Sequence, residues 1–114
     1  MLKRMVSIRA LRGELDRFNV TEVRSAIDAL IENGERRIVL NLEDLRFIDS
    51  GGLSFLMDMR ERLPKLGGEM VISNPSKLFQ STINALKADE IFRIFPDDDS
   101  ARAYFDSDRG RRLI

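Results

Sequence analysis

The segment IVLNL at 38–42 constrains the fold of this chain more than any other stretch. It is rich in β-branched residues and almost continuously apolar. A strand with one solvated face would alternate apolar and polar residues, whereas a strand covered on both faces does not. The segment therefore predicts a central strand with other elements packed on both of its sides.

Helices and further strands are predicted to alternate around this strand. The strands lie at 5–10, at 38–42 with an extension through Leu45 and Phe47, at 69–73 and at 92–95, and GELD at 13–16 turns into a short extended piece. Thr21 caps the first helix and Gly34 stops it, and the second helix follows a turn at 48–54. Asn74-Pro75 cap and begin the third helix. DDDS at 97–100 caps the fourth helix, which runs through Phe105. Strand–helix alternation implies an α/β class with a partly parallel sheet.

Length and composition predict a single domain with an ordinary core. The chain has 114 residues, 43% of them hydrophobic, and its 19 basic and 19 acidic side chains cancel. A net charge of zero gives no overall electrostatic attraction to nucleic acid or anionic lipid. We expect a domain at 1–106 and a charged C-terminal tail at 107–114.

No apolar run approaches the roughly 20 residues that span a bilayer, and the N-terminal residues lack the apolar centre of a signal peptide. We therefore expect a cytoplasmic location.

The absence of two residue types limits the reactions and the metal sites that this chain could support. The sequence has no cysteine and no histidine, which removes thiol chemistry and the commonest general base and metal ligand. The turn does not match a P-loop, a dinucleotide-binding loop or a nucleophile elbow. Glu14, Asp16 and Asp49 remain as carboxylates for a magnesium site, although solvated surface acids are the better default. We expect no enzymatic activity, no cofactor and no metal.

The turn FIDSGGLSFL at 47–56 places an acid, a serine and two glycines where a predicted strand ends and a predicted helix begins. Unpaired N–H groups at such a helix N-terminus favour an anion. One interpretation is that Asp49 or Ser50 only caps the helix. The other is that Gly51 and Gly52, which cost roughly 1 kcal/mol each relative to alanine in a helix, leave space for another surface to approach. That surface belongs to a protein partner, or a small ligand such as a nucleotide fills an anion nest there.

Four segments resemble, in their order and spacing, those of the STAS domain family, and within it the bacterial anti-sigma factor antagonists. They are ALRGELD at 10–16, IVLNLEDLRFIDSGGL at 38–53, GGEMVISNPS at 67–76 and the closing ADEIFRIFPDDDSA. The second is the most specific, because family members carry an apolar strand and then V-x-[FY]-[IM]-D-S-[ST]-G-L at the start of a helix.

The resemblance implies a single-domain fold with a four-to-five-stranded mixed sheet and about four helices. It also implies a non-enzymatic module that captures an anti-sigma factor, often a serine kinase of the histidine-kinase-like ATPase type, and that is released by phosphorylation in the D-S-[ST]-G turn. Gly51 stands at the usual acceptor position, so Ser50 is the phosphorylation candidate, or the switch is missing. The alternatives are a STAS subunit of a lipid-transport or stress-signalling assembly, and a ligand-binding STAS module.

The second helix carries two apolar stripes where packing on a sheet requires one. Leu53, Leu56, Met57 and Leu63 form the first stripe, and Phe55, Met59 and Leu66 form the second. A neighbouring helix, the first or the third, covers the second stripe, or a wide apolar face is simply tolerated. The alternative is that Phe55 and Met59 belong to a partner-binding patch. The predicted partner-binding residues are Asp49, Ser50, Gly51, Gly52, Leu53, Ser54, Phe55, Met59, Glu14 and Asp16.

Overall fold

The computed structural model describes residues 6–107. Its elements follow one another in the order β1 (Val6–Ala10), β2 (Gly13–Leu15), α1 (Val20–Glu32), β3 (Arg37–Asn41), β4 (Leu45–Ile48), α2 (Ser50–Lys65), β5 (Glu69–Ser73), α3 (Lys77–Ala85), β6 (Ile94–Phe95) and α4 (Asp98–Asp106). Met5, the first residue of the predicted strand at 5–10, lies outside the described residues. Of the predicted tail at 107–114, only Ser107 lies within them. No helix in the described range is long and apolar enough to cross a membrane.

The strands form a four-stranded sheet in the order β1-β3-β5-β6 and a separate two-stranded sheet of β2 and β4. The α/β class, the four helices and the four-stranded sheet confirm the predictions. Every pairing between described strands is parallel. The carboxyl ends of the four main strands therefore share one edge of the sheet.

Both faces of the central strand β3 are buried, as its apolar run predicts. Ile38 and Leu40 lie in a large core cluster with residues of α1, α2 and α3, whereas Val39 lies in a second cluster with Ala101 and Phe105 of α4. Alternate side chains of a strand point to opposite faces, so three helices cover one face of the sheet and α4 covers the other.

The first turn of α1 differs from the prediction. The helix begins at Val20 after the N-cap residue Asn19, so Thr21 lies inside it and does not cap it. The cause lies upstream, where the carboxylate of Asp16 accepts hydrogen bonds from the N–H groups of Phe18 at 2.9 Å and Asn19 at 3.0 Å. The end of the helix is as predicted, because Gly34 follows it with a φ of +91° that suits glycine.

Two further boundaries are corrected. Asn74 has a φ of +50° and Pro75 lies outside α3, whose N-cap is Ser76, with its hydroxyl accepting from the N–H of Phe79 at 3.1 Å. The strand predicted at 92–95 shortens to Ile94–Phe95, because Phe92 is 5% exposed and packs in the core before the strand begins. The fourth helix follows its acidic cap as expected, with Asp97 as N-cap.

Candidate functional site

The two-stranded sheet brings the GEL segment beside the glycine turn. β2 and β4 are parallel, with Glu14 opposite Phe47 and Leu15 opposite Ile48. The N–H of Asp49 then donates to the carbonyl oxygen of Leu15 at 3.4 Å, which continues the pairing into the turn. Two segments that are more than thirty residues apart in sequence thus meet at the N-terminus of α2.

A bulge in β4 turns Phe47 outward. Gly13 lies opposite Leu45, but the next residue of β2 lies opposite Phe47, so Arg46 is the extra residue of the longer strand. An extra residue inverts the alternation of side chains beyond it. Leu45 is accordingly 2% exposed and Phe47 is 48% exposed, although strict alternation would have placed both on the buried face.

Asp49 joins the two segments through both oxygens of its carboxylate. As the N-cap of α2 it accepts from the N–H of Gly52 through Oδ1 at 3.0 Å, and Oδ2 accepts from the N–H of Arg17 at 3.2 Å. These N–H donors, that of Gly52 foremost, hold the pKa of the Asp49 carboxyl below its ordinary value. Asp49 therefore caps the helix, and its carboxylate already occupies the place that an anion would take at these N–H groups.

The glycines make space for the protein's own chain. A Cβ at Gly52 would overlap the carbonyl group of Leu15, and a Cβ at Gly51 would lie 3.0 Å from the Cβ of Arg17 and 3.1 Å from its Cα. The prediction that the turn needs room for close approach is thus correct, but the approaching surface is the segment between β2 and α1. Gly52 is buried beneath that segment, whereas Gly51 is half-buried.

The assignment of Phe55 and Met59 to a partner-binding patch is wrong. Each is 1% exposed, and both belong to the main core cluster. α1 packs against α2, and the guanidinium of Arg24 on α1 lies 5.1 Å from the centroid of the Phe55 ring. The second apolar stripe is therefore covered within the monomer, apart from Leu66 at the end of α2, which is 42% exposed.

The remaining predicted site residues divide into exposed and internal groups. Glu14, Ser50 and Ser54 are exposed, whereas Gly52 is buried and Leu53 packs partly buried against the core. Asp16 is 7% exposed, and its carboxylate is directed at backbone N–H groups. Within residues 6–107, no three acidic side chains gather as a metal site would require.

Three exposed residues at this site escaped the sequence analysis, namely Arg17, Phe18 and Phe47. Phe18 is 79% exposed, and the guanidinium of Arg17 lies 4.9 Å from the centroid of its ring. The one available signal was that Phe18 fits neither the strand before it nor the apolar spacing of α1. We define the turn face by its exposed side chains, which are Glu14, Arg17, Phe18, Phe47 and Ser50.

A cleft of the described residues lies away from this turn. It has a volume of about 520 Å³ and is formed by the end of α2, the start of β5 and the residues before β6. Its charged side chains are of both signs: Arg60, Lys65 and Arg93 against Glu61, Glu69 and Glu90. The arrangement does not select a ligand of either charge.

Comparison with known proteins gives one consistent result. Residues 3–101 match the family model of the STAS domain. The chain is 35% identical over 85 residues to an anti-sigma F factor antagonist of Lysinibacillus sphaericus, an alignment that covers 70% of this chain and 73% of that protein. The structure is similar to that of the anti-sigma factor antagonist SpoIIAA in its unphosphorylated form, with a TM-score of 0.68, 25% identity and coverage of 95% and 96% of the two chains. Its similarity to the phosphorylated form of SpoIIAA from Bacillus has a TM-score of 0.66, with 25% identity and coverage of 91% and 94%.

Proposed function

Because the chain belongs to the STAS domain family, we propose that it is an anti-sigma factor antagonist. In this role it is a non-enzymatic, cytoplasmic protein-binding module that captures an anti-sigma factor and thereby frees a sigma factor. The partner is an anti-sigma factor of the histidine-kinase-like ATPase type that is also a serine kinase. The observation that carries the proposal is the 35% identity to an anti-sigma F factor antagonist over most of both chains.

The turn face is the part of the molecule that we assign to partner capture. Four large hydrophobic side chains are exposed among the described residues, and two of them, Phe18 and Phe47, lie on this face. Aromatic residues and arginine are enriched at the centres of protein interfaces, where their burial contributes most of the binding free energy. Phe18 beside Arg17 offers an apolar ring and a fixed positive charge together.

The backbone behind this face is held before any partner arrives. Asp16 accepts two N–H groups of the segment, and Asn19 accepts the N–H of Asp16 at 2.9 Å and donates to the carbonyl oxygen of Glu14 at 2.7 Å. A preorganised surface loses less conformational entropy on binding than a mobile one. The hydrogen bonds of Asp16 therefore support the capture of a partner without contact between Asp16 and that partner.

Ser50 is the candidate site for regulation of capture. It is the first residue of α2 and is exposed, so its hydroxyl is accessible to a kinase. A phosphate adds about −1.5 to −2 charges at neutral pH and would have to be desolvated inside an interface. We expect Ser50→Asp to weaken capture far more than Ser50→Ala. Ser81→Asp, at an exposed position on α3, is the matched control for the added charge. Equal affinities of the two Ser50 variants would reduce Ser50 to a structural residue.

Affinity capture from the native cell extract tests the proposed function. The tagged protein is expected to retain an anti-sigma factor or a histidine-kinase-like ATPase, identified by mass spectrometry, and Phe18→Ala is expected to lose it. Leu86→Ala is the control, because Leu86 is 57% exposed at the end of α3 and outside the turn face. Recovery of transporter or stress-signalling subunits, with no anti-sigma factor, would replace the antagonist role with that of a STAS subunit in another assembly.

A ligand-binding STAS module is the alternative from a different class. Its predicted anion nest at the turn is filled by the carboxylate of Asp49, so a nucleotide would need another site such as the cleft beside Arg60. Thermal unfolding with nucleotides and inorganic phosphate separates the two functions. A ligand present at 100 times its dissociation constant stabilises the folded protein by about 2.7 kcal/mol. A shift of that size would favour the ligand-binding function, and its absence for every compound would favour partner capture.

A further inference from the structure

Position 51 is tightly packed against the segment before α1. A Cβ there would lie 3.0 Å from the Cβ of Arg17, 3.1 Å from its Cα and 3.2 Å from Oδ1 of Asp49. All three distances are shorter than an ordinary contact between non-bonded heavy atoms, which is about 3.5–4.0 Å for carbon atoms. A serine would add a hydroxyl beyond that Cβ, and a phosphoserine would add four more heavy atoms. A Cβ alone requires the segment that carries Arg17 to shift by a few tenths of an ångström, and the larger groups require it to shift further.

That segment is held by hydrogen bonds to Asp49 and by hydrogen bonds within the segment. Its N–H at Arg17 donates to Asp49, and its next two N–H groups donate to the carboxylate of Asp16. The carbonyl oxygen of Leu15 accepts the N–H of Asp49 and lies so close to Gly52 that no Cβ fits between them. Displacing the segment from α2 would break the two hydrogen bonds that join it to Asp49, one from the N–H of Arg17 and one to the carbonyl oxygen of Leu15.

From this packing we propose that the segment at 15–18 occupies the space that a phospho-acceptor side chain would take at position 51. A hydroxyl introduced there would therefore have to displace this segment before it could serve as a switch. The inference rests on the proposed function for its meaning, since the resemblance to the antagonists places the usual acceptor at Gly51. Regulation by a kinase must then act at another hydroxyl, or the turn face captures its partner without a switch. Gly51 therefore differs from an acceptor position in its packing as well as in its missing hydroxyl, because Arg17 packs against it.

Substitution of Gly51 tests this packing on the isolated protein, with no partner needed. An open helical position would gain stability when glycine is replaced by alanine, because alanine has the higher helix propensity. We expect the opposite sign here, with melting temperatures lowered by about 4 °C or more for Gly51→Ala and further for Gly51→Ser. Ser54→Ala, at an exposed position one turn along the same helix, is the control for propensity and should not lower the melting temperature.

Amide hydrogen exchange reports whether the segment itself has moved. In Gly51→Ser the N–H group of Arg17, which donates to Asp49 at the N-terminus of α2, should exchange at least about tenfold faster than in the wild type, relative to amides of β3. Arg17→Gly removes the nearest of the clashing atoms, so the double variant Arg17→Gly/Gly51→Ser should melt above Gly51→Ser alone. This recovery identifies the clash even if Gly51→Ser is too unstable for exchange measurements.

Two results would overturn the inference. One is that Gly51→Ala and Gly51→Ser melt at or above the wild-type temperature with unchanged exchange at Arg17. The other is that Arg17→Gly does nothing to restore Gly51→Ser. The proposed function fails separately, because a wild-type protein that captures no anti-sigma factor would leave these stability and exchange results unaltered.

Discussion

Phe55 and Phe18 stand in opposite surroundings, so replacing each by alanine separates the core from the turn face. Phe55 is 1% exposed in the core cluster, and Phe18 is 79% exposed. Truncating a buried phenylalanine removes its burial and leaves a cavity, which costs about 3–5 kcal/mol. The nearby Arg24 guanidinium, 5.1 Å from the ring centroid, loses its aromatic partner as well. We therefore expect Phe55→Ala to lower the free energy of unfolding by about 3–5 kcal/mol.

Phe18→Ala should cost far less stability. Complete burial of a phenylalanine side chain contributes about 1.5–3 kcal/mol, and only about a fifth of Phe18 is covered in the free protein, so the loss of burial is below about 0.6 kcal/mol. Loss of the stacking with Arg17 at an exposed site adds up to about 1 kcal/mol. The total stays below about 1.6 kcal/mol, well under the cost at Phe55.

Urea unfolding followed by circular dichroism measures both values, provided that the slopes with denaturant match the wild type. The same two proteins are then compared in partner binding at a temperature where both are folded. We expect Phe18→Ala to bind more weakly with its fold intact. If the free energy of unfolding of Phe55→Ala lay within about 1 kcal/mol of the wild-type value, the core assignment of Phe55 would be refuted. A loss of 3 kcal/mol or more for Phe18→Ala would refute its exposure.

Three further predictions concern stability. Gly52→Ala should lower the melting temperature despite the better helix propensity of alanine, because its Cβ would overlap the carbonyl group of Leu15; an unchanged melting temperature would contradict that overlap. The pKa of the Asp97 carboxyl is lowered, chiefly by the N–H of Ser100, so its contribution to stability is present above the unfolded value of 3.8 and is lost as pH falls through the folded value. Acid unfolding of Asp97→Asn should therefore depend less on pH below about 4 than that of the wild type, and equal slopes would count against this role. Lys87 has a φ of +55°, so Lys87→Gly should raise the free energy of unfolding by about 0.5–1 kcal/mol in urea titrations, and a decrease would contradict the relief of backbone strain.

The elements that depend on local patterns could be predicted from the sequence. β3 and β5 follow from continuous apolar runs, and α2 and α4 follow from acidic caps and apolar spacing. The predicted caps of α1 and α3 were wrong because neighbouring residues competed for the same role. At α1 the N-cap is Asn19, which follows the turn held by the carboxylate of Asp16, and at α3 the cap is the hydroxyl of Ser76.

The candidate site depended on contacts between distant segments, and there prediction from the sequence was incomplete. The two glycines signalled that something needs space, but only the fold identifies it as Leu15 and Arg17. A one-residue bulge in β4 exposes Phe47, and no pattern in the sequence marks it. The apolar stripe through Phe55 was ambiguous for a similar reason, since the position of α1 decides whether it is covered.

Titration calorimetry with an anti-sigma factor encoded in the same genome measures capture by the turn face. We expect the wild type to bind, Phe18→Ala to bind at least tenfold more weakly, which corresponds to about 1.4 kcal/mol, and Leu86→Ala to bind with wild-type affinity. Binding that is equally strong in Phe18→Ala and the wild type, or no binding to any such factor, would contradict the assignment of the turn face to its capture.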